Sequence, residues 1–365
     1  MKRAITLGGG GPAAGLHLGA LKAFEEFDIE FDVWSLSCIG VWVGGQYLSY
    51  PKDEALAKTI EHFRKYIFVD DVTYDKWPIG AGFTPNLQSW AEAGMKFMTD
   101  PKSYQNLVSP AATAIAMERW QTFMSDPKYW QPAGFNQLFA ATAAANPITR
   151  FLVSLMWLSP LTGLTGGSQP GPSLTPNTDV DALFNPGQPF VYHNAWNMRD
   201  DKIQLFSNQK NPDHGMMTLS SASMGAASAL PYIIQPKVID GIPYCEGALV
   251  RTVSFTDLLR DHPDLEEIWV IRIVDPAQVR PTQNMDDAMN NLTMLFAGAL
   301  GEANVQNYQD EVQIHFPELY DRITFIDVPV SHEVNFDWTH SNLDLGIQQG
   351  YKNTKESILA LQAKG

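Results

Sequence analysis

The chain has 365 residues, 45% of them hydrophobic and 18% charged, with a formal net charge of −15. That is enough apolar material for one large core, and too acidic a balance for a nucleic-acid partner or a polybasic grip on anionic lipid. The two cysteines make no disulfide framework, the eight histidines show no metal-ligand spacing, and Lys2-Arg3 precede only a short apolar run, so the reading is of no metal, no cofactor, no signal peptide and a cytoplasmic, reducing compartment.

Ala4-Ile5-Thr6-Leu7 predicts a short strand, residues 8–15 a glycine-rich turn and residues 16–27 a helix. Such a turn at a helix start presents backbone N–H groups to an anion, either a nucleotide phosphate or the oxyanion of a tetrahedral intermediate. The nucleotide reading fits poorly: the G-x-x-x-x-G-K-[ST] lysine is missing, and Asp28 and Glu30 come too early for a ribose contact. Residues 32–40 then read as a strand, a sharp turn and a helix, with Cys38 where a nucleophile would stand. An elbow of this kind lifts one side chain above the sheet, aims the first helical N–H groups, here from Ile39 onward, at what it attacks, and favours a thiolate. Ser35 and Ser37 are near, but only Cys38 is followed two positions on by a glycine, Gly40, which lets strand and helix approach. A cysteine taken alone is more often a packed core residue. The preceding glycine run favours the nucleophile.

Residues 53–67 predict an amphipathic helix with Leu56, Ile60, Phe63 and Ile67 on one stripe. Across 77–190 the pattern changes to proline-broken helical pieces rich in aromatic residues, methionine and alanine, without strand alternation; this is read as a lid-like insertion in a single domain spanning 1–365. Its segment 151–164 is too short to cross a bilayer, so no transmembrane segment is expected. A packed helix is the leading reading there; a lid, or a surface touching a lipid phase or carrier protein, is the functional one. Residues 166–176 predict an exposed loop or hinge. Residues 257–273 read as helix then buried strand, 285–308 as a long helix and 345–361 as a last one, giving a three-layer α/β/α architecture with a parallel-rich central sheet.

Together these residues resemble a family. Gly9-Gly10-Gly11 with His17-Leu18-Gly19-Ala20-Leu21 is similar to the oxyanion loop and first helix of the patatin-like acyl hydrolases, and residues 32–40 to their G-x-S-x-G elbow. Asn194-Ala195-Trp196-Asn197 and Gln204-Leu205-Phe206-Ser207 resemble the family's core strands, and Ser220-Ser221-Ala222-Ser223 with Ala229-Leu230-Pro231 its small-residue helix and the loop after it. Ile239-Asp240-Gly241, then Tyr244-Cys245-Glu246-Gly247-Ala248, resembles its strand with the D-G-G or D-G-A motif. The resemblance implies a patatin-like fold, an oxyanion hole at Gly9, Gly10 and Gly11, an elbow at Ile39 and Gly40, and a dyad of Cys38 with Glu246. The chain departs from the pattern at four places: Cys38 stands for the serine, Leu36 for the first elbow glycine, Glu246 for the dyad aspartate and Ala13 for a basic residue of the loop. The fit of Tyr244 and Gly247-Ala248 ranks Glu246 above Asp240, since Asp-Gly is commoner as a hairpin turn. His17 is read as packing or a cap, and His332 and His340, which flank Asn335-Phe336-Asp337, rank below Glu246.

A thiolate beside an ionised Glu246 would be repelled, so the pair is expected to share a proton, with the thiol protonated at rest and passing its proton to Glu246 on attack. The implied activity is hydrolysis of a lipophilic ester or thioester, presented by a carrier or lipid surface, through an acyl-cysteine. An acyltransferase or chain-releasing enzyme is the alternative the cysteine suits, and an inactive lipid-binding homologue the one the altered dyad suits. Loss of the basic residue argues against a phosphate head group.

Overall fold

The structure is a computed structural model, and it describes residues 1–78, 85–105, 107–165, 178–209, 215–252 and 255–363; the loop expected at 166–176 lies outside them. The chain divides into two compact units, Met1–Pro85 with Thr165–Gly365, and Asn86–Leu164.

The larger unit is organised by short apolar runs. Among the described residues nine strands form one sheet: β1 (Arg3–Leu7), β2 (Val33–Leu36), β3 (Phe190–Asn197), β4 (Lys202–Ser207), β5 (Met217–Thr218), β6 (Lys237–Ile239), β7 (Ile242–Glu246), β8 (Glu267–Ile271) and β9 (Thr324–Val328). The order is β9-β8-β1-β2-β3-β4-β5, and β7 pairs with both β3 and β6. The run from β9 to β3 is parallel throughout, while β4 and β7 lie antiparallel to β3. Alternate side chains enter two separate cores: Ile5, Leu7, Trp34, Leu36 and Trp269 on one face, and Ala4, Val33, Phe190, Ile268 and Val270 on the other. A parallel strand covered on both sides has no solvent face, which is why these runs read as continuously apolar.

Helices follow the strands. α1 (Gly15–Glu26), α2 (Ile39–Leu48), α3 (Ala55–Tyr66) and the short α4 (Asp71–Lys76) come first. In α3 Phe63 is fully buried, with Leu56 and Ile60 packed against the same core, as the stripe requires.

The smaller unit is helical: α5 (Leu87–Thr99), α6 (Pro110–Ser125), α7 (Pro132–Ala145) and α8 (Pro147–Leu158), with three extended residues, Gly163–Thr165, at its boundary. The prolines that break the sequence pattern stand at the first positions of α6, α7 and α8, where a missing N–H is tolerated, and Asn86, Ser109 and Asn146 cap α5, α6 and α8 with side-chain oxygens. Phe97 packs its ring 5.7 Å from Phe151, and Phe123 lies 4.7 Å from Phe135.

Back in the larger unit come α9 (Ser221–Ala227), α10 (Phe255–Asp261), α11 (Met285–Gln306), α12 (Tyr308–His315), α13 (Pro317–Tyr320) and α14 (His340–Gln362). Residues of α1, α2, α3, α9 and α14 belong to the first core, and residues of α10, α12 and α13 to the second, so the sheet lies between two helical layers. The last helix starts before the expected residue 345 because Thr339 accepts the N–H of Asn342 and caps it there. α1 and α14 meet backbone to backbone: a Cβ at Gly350 would sit 2.2 Å from the Leu16 oxygen.

Candidate active site

The elbow forms where β2 runs out. The Ser37 N–H donates to the Leu7 oxygen at 3.0 Å, one residue past the paired strands, and the chain then reverses at Cys38, whose φ is 49° and ψ −121°. A non-glycine residue is rarely held there, and strain of this kind collects at functional positions. The Gly40 N–H donates to the Ser37 oxygen at 2.8 Å and the Val41 N–H to the Cys38 oxygen at 3.1 Å, so α2 begins at once. Gly40 permits this approach, since a Cβ on it would lie 2.3 Å from the Leu7 oxygen. Cys38 therefore stands at the carboxyl end of β2 and the amino end of α2.

Across from it runs the glycine loop. Gly8 donates to the Ile271 oxygen at 3.1 Å. Gly9 passes directly over the elbow: a Cβ there would sit 3.1 Å from Cys38 Cβ, 3.3 Å from Ala248 Cβ and 3.8 Å from Glu246 Oε1. Gly10 and Gly11 take φ of 154° and 46° and lead through a 3-10 turn, with Pro12 near its start, into α1. The N–H groups of Gly10 and Ile39 both donate to the Cys38 sulfur.

The last residue of β7, Glu246, is buried, is paired with Ala195 of β3 and donates its N–H to the Ala229 oxygen at 3.1 Å. Its carboxyl is hydrogen-bonded to the Cys38 thiol. Asn194 joins the two segments from behind: its Oδ1 accepts the Ser37 hydroxyl at 3.3 Å, its Nδ2 donates to the Arg251 oxygen at 2.7 Å, and a Cβ on Gly247 would come 2.6 Å from that Oδ1.

The electrostatics follow from enclosure. Burial pushes the Cys38 thiol well above its ordinary range, helped by the Glu246 charge and hydrogen bond and opposed by the Gly10 and Ile39 N–H groups. Burial also raises the Glu246 carboxyl to about 7, against the Cys38 hydrogen bond. Burial holds the thiol protonated near neutrality and raises the carboxyl toward neutrality, and the two titrate as a unit.

The other residues singled out from the sequence lie elsewhere. Asp240, with φ of 50°, and Gly241, with φ of 75°, form the exposed two-residue turn between β6 and β7, at the far end of a strand about 13 Å long from Glu246. His17 is fully buried in α1, and burial lowers its pKa to about 3; the neutral ring donates Nε2–H to the Ile271 oxygen at 3.2 Å, the carbonyl that also receives Gly8. It steadies the glycine loop from below. His332 is exposed, 3.8 Å from Asp275, and His340 bonds the Arg64 oxygen at 2.9 Å. Sequence reasoning noticed residues 335–337 for the flanking histidines, whereas the aromatic residues there carry the contact: a Cβ on Gly11 would lie 3.4 Å from Trp338 and 3.6 Å from Phe336. Cys245 precedes Glu246 on the strand, so it points to the opposite face of β7, and both cysteines are free.

Ala13 is fully buried and brings no charge to the loop, and Arg272, whose backbone borders Gly8, pairs with Asp327 at 2.9 Å. Among the described residues no group of three or more His, Cys, Asp or Glu side chains could hold a metal ion. A cavity of about 760 Å³ opens among Asp32, Trp34, Tyr47, Lys52 and Gln188, at the amino ends of β2 and β3 and thus at the opposite end of the sheet from Cys38.

A family model described as patatin-like phospholipase matches residues 5–259. No curated protein matches the chain. Among solved structures, the crystal structure of VipD from Legionella pneumophila matches at 13% sequence identity over 98% of this chain and 67% of that one, with a TM-score of 0.42.

Proposed function

The chain belongs to the patatin-like phospholipase family, a family of lipid acyl hydrolases, and from that premise we propose that it cleaves a lipophilic, uncharged ester or thioester through an acyl intermediate on Cys38. The observation that carries this reading is the hydrogen-bonded pair of Cys38 and Glu246, with the Gly10 and Ile39 N–H groups on the same sulfur.

In the acylation step the Cys38 sulfur attacks the acyl carbonyl carbon while its proton passes to ionised Glu246. The carbonyl oxygen becomes an oxyanion, received by the backbone N–H groups of the glycine loop at Gly9, Gly10 and Gly11, which are held in place by the backbone rather than recruited. Collapse breaks the bond to the leaving oxygen or sulfur, and Glu246 returns the proton to it, leaving a thioester on Cys38. Glu246 then takes a proton from water as the water attacks, and the departing Cys38 sulfur regains it. One group acts as base and acid in turn, a role suited to a carboxyl near 7.

Ala13 brings no charge to the loop, which favours a substrate uncharged at its reacting end over a phosphate. Phe336 and Trp338 beside Gly11 supply an apolar wall for the acyl chain.

Incubation with acyl thioesters and p-nitrophenyl esters, followed by intact mass, tests the proposal. An adduct that clears in water supports hydrolysis. One that clears only with an added amine, thiol or alcohol replaces hydrolysis by transfer, and no adduct with any substrate leaves an inactive lipid-binding homologue.

A further inference from the structure

The unit Asn86–Leu164 carries an apolar surface that its own helices do not cover. Phe135, Phe139, Ile148, Leu152, Met156 and Trp157 are all exposed, Phe139 by 76% and Trp157 by 66%, and α8 has no buried residue. Between Lys128 and Asp179 the one charged residue is Arg150. A helix facing water normally interleaves charge with its apolar stripe, and a pair of helices that exposes large apolar side chains with a single charge between them marks a contact site.

We propose that the bent α7–α8 pair docks this surface onto an uncharged or zwitterionic lipid layer, with its apolar side chains at the acyl boundary. Three observations select lipid as the occupant. Pro132–Ala145 and Pro147–Leu158 are together as long and apolar as a membrane span, but they bend by 72° at the break, and among the described residues no single helix is long and apolar enough to cross. The bent pair thus has the composition for hydrocarbon with a geometry that suits shallow burial. Exposed Trp120, Trp130 and Trp157 belong to the residue type that settles at the boundary between acyl chains and head groups. The single charge along the α7–α8 pair, Arg150, and the net charge of −15 on the chain give little attraction to anionic lipid, so the preferred layer is neutral overall. The choice of lipid over another apolar partner rests on the acyl chemistry proposed for Cys38; the binding test does not use that chemistry.

The test is flotation of the full chain, of Cys38→Ala and of the double variant Phe139→Gln with Trp157→Gln, using phosphatidylcholine vesicles with and without phosphatidylserine. Parent and Cys38→Ala should float equally with phosphatidylcholine, phosphatidylserine should weaken both, and the double variant should bind at least about tenfold more weakly, the partition change expected from removing two aromatic anchors. Both substitutions lie at exposed positions, and unchanged turnover of a short p-nitrophenyl ester certifies the fold of the variant. The proposal is overturned if the parent stays with the unbound protein, if the double variant floats like the parent, or if the parent ignores vesicles and runs as a dimer that the double variant dissolves. Flotation without any ester turnover would sink the acyl chemistry and leave the docking surface standing.

Discussion

The Cys38 thiol and the Glu246 carboxyl are hydrogen-bonded to one another in an enclosure that opposes charge on both. One comes from the start of α2 and the other from the end of β7, and Asn194 holds the two segments in register. The consequences of that relationship can be measured separately.

The first is a pH profile. Acylation needs Glu246 ionised, and its carboxyl is raised to about 7, so kcat/KM for a p-nitrophenyl ester should rise with pH through an apparent pKa near 7. Glu246→Gln should lower it by about 10²- to 10⁴-fold and remove that limb. Steady-state rates between pH 5 and about pH 9 decide this, and a variant with the parent's profile would move the base to another residue.

The same carboxyl affects stability, with a defined sign. Its folded pKa of about 7 lies above the ordinary 4.5, so its favourable contribution is complete below 4.5 and is lost as pH rises through 7. Glu246→Gln should therefore match the parent near pH 4 and exceed it above pH 7 by a difference on the order of 3 kcal/mol. Denaturant unfolding at the two pH values measures it, and a variant less stable than the parent at pH 8 contradicts the account.

Two glycines of the site should respond differently. Gly40→Ala places a Cβ 2.3 Å from a backbone oxygen that cannot move aside, and should cost about 1–3 kcal/mol in unfolding free energy. Gly9→Ala meets Cys38 and Ala248 at 3.1 and 3.3 Å, distances that small shifts relieve. It should keep its melting temperature while acylation falls about 10²-fold, because the shift displaces the nucleophile. Equal effects on stability would show that Gly9 is a packing residue only.

Cys38→Ser tests the thiol itself. A hydroxyl depends on its base throughout and has a far higher pKa than a thiol, and Glu246 here is placed against sulfur. Single-turnover acylation should fall at least about 10²-fold with the fold intact. A serine variant faster than the parent would contradict a site adapted to a thiol.

What the sequence made legible was local. The glycine run, the short apolar strand before it and the strand entering a turn at Cys38 with Gly40 two positions on are each written within a few residues; which faces bury Ile5, Leu7 and Trp34, and the approach of Gly40 to Leu7, are not. Helix starts were less legible: α14 begins where Thr339 can cap it rather than where its apolar stripe begins. Asp240 and Glu246 share one segment; the Asp-Gly dipeptide already reads as a turn, and the positive φ of Asp240 and Gly241 and the burial of Glu246 accord with that. Least legible were long-range relations. Asn194 under the elbow and Phe336 and Trp338 beside Gly11 come from distant segments, and no local propensity announces such contacts. The apolar run in α8 read most readily as a packed helix, yet none of its residues is fully buried and most of its apolar side chains are exposed, because composition reports how apolar a helix is and not what covers it.

The central claim concerns which atom becomes acylated. The most direct measurement is a rapid quench of the enzyme with a slowly released acyl thioester, followed by proteolysis and mass mapping of the modified peptide. The account predicts a single acyl group on Cys38, absent from Cys38→Ala and accumulating in Glu246→Gln only at a reduced rate. Acyl transfer to Ser37 or to another residue, or steady hydrolysis by Cys38→Ala, would contradict it.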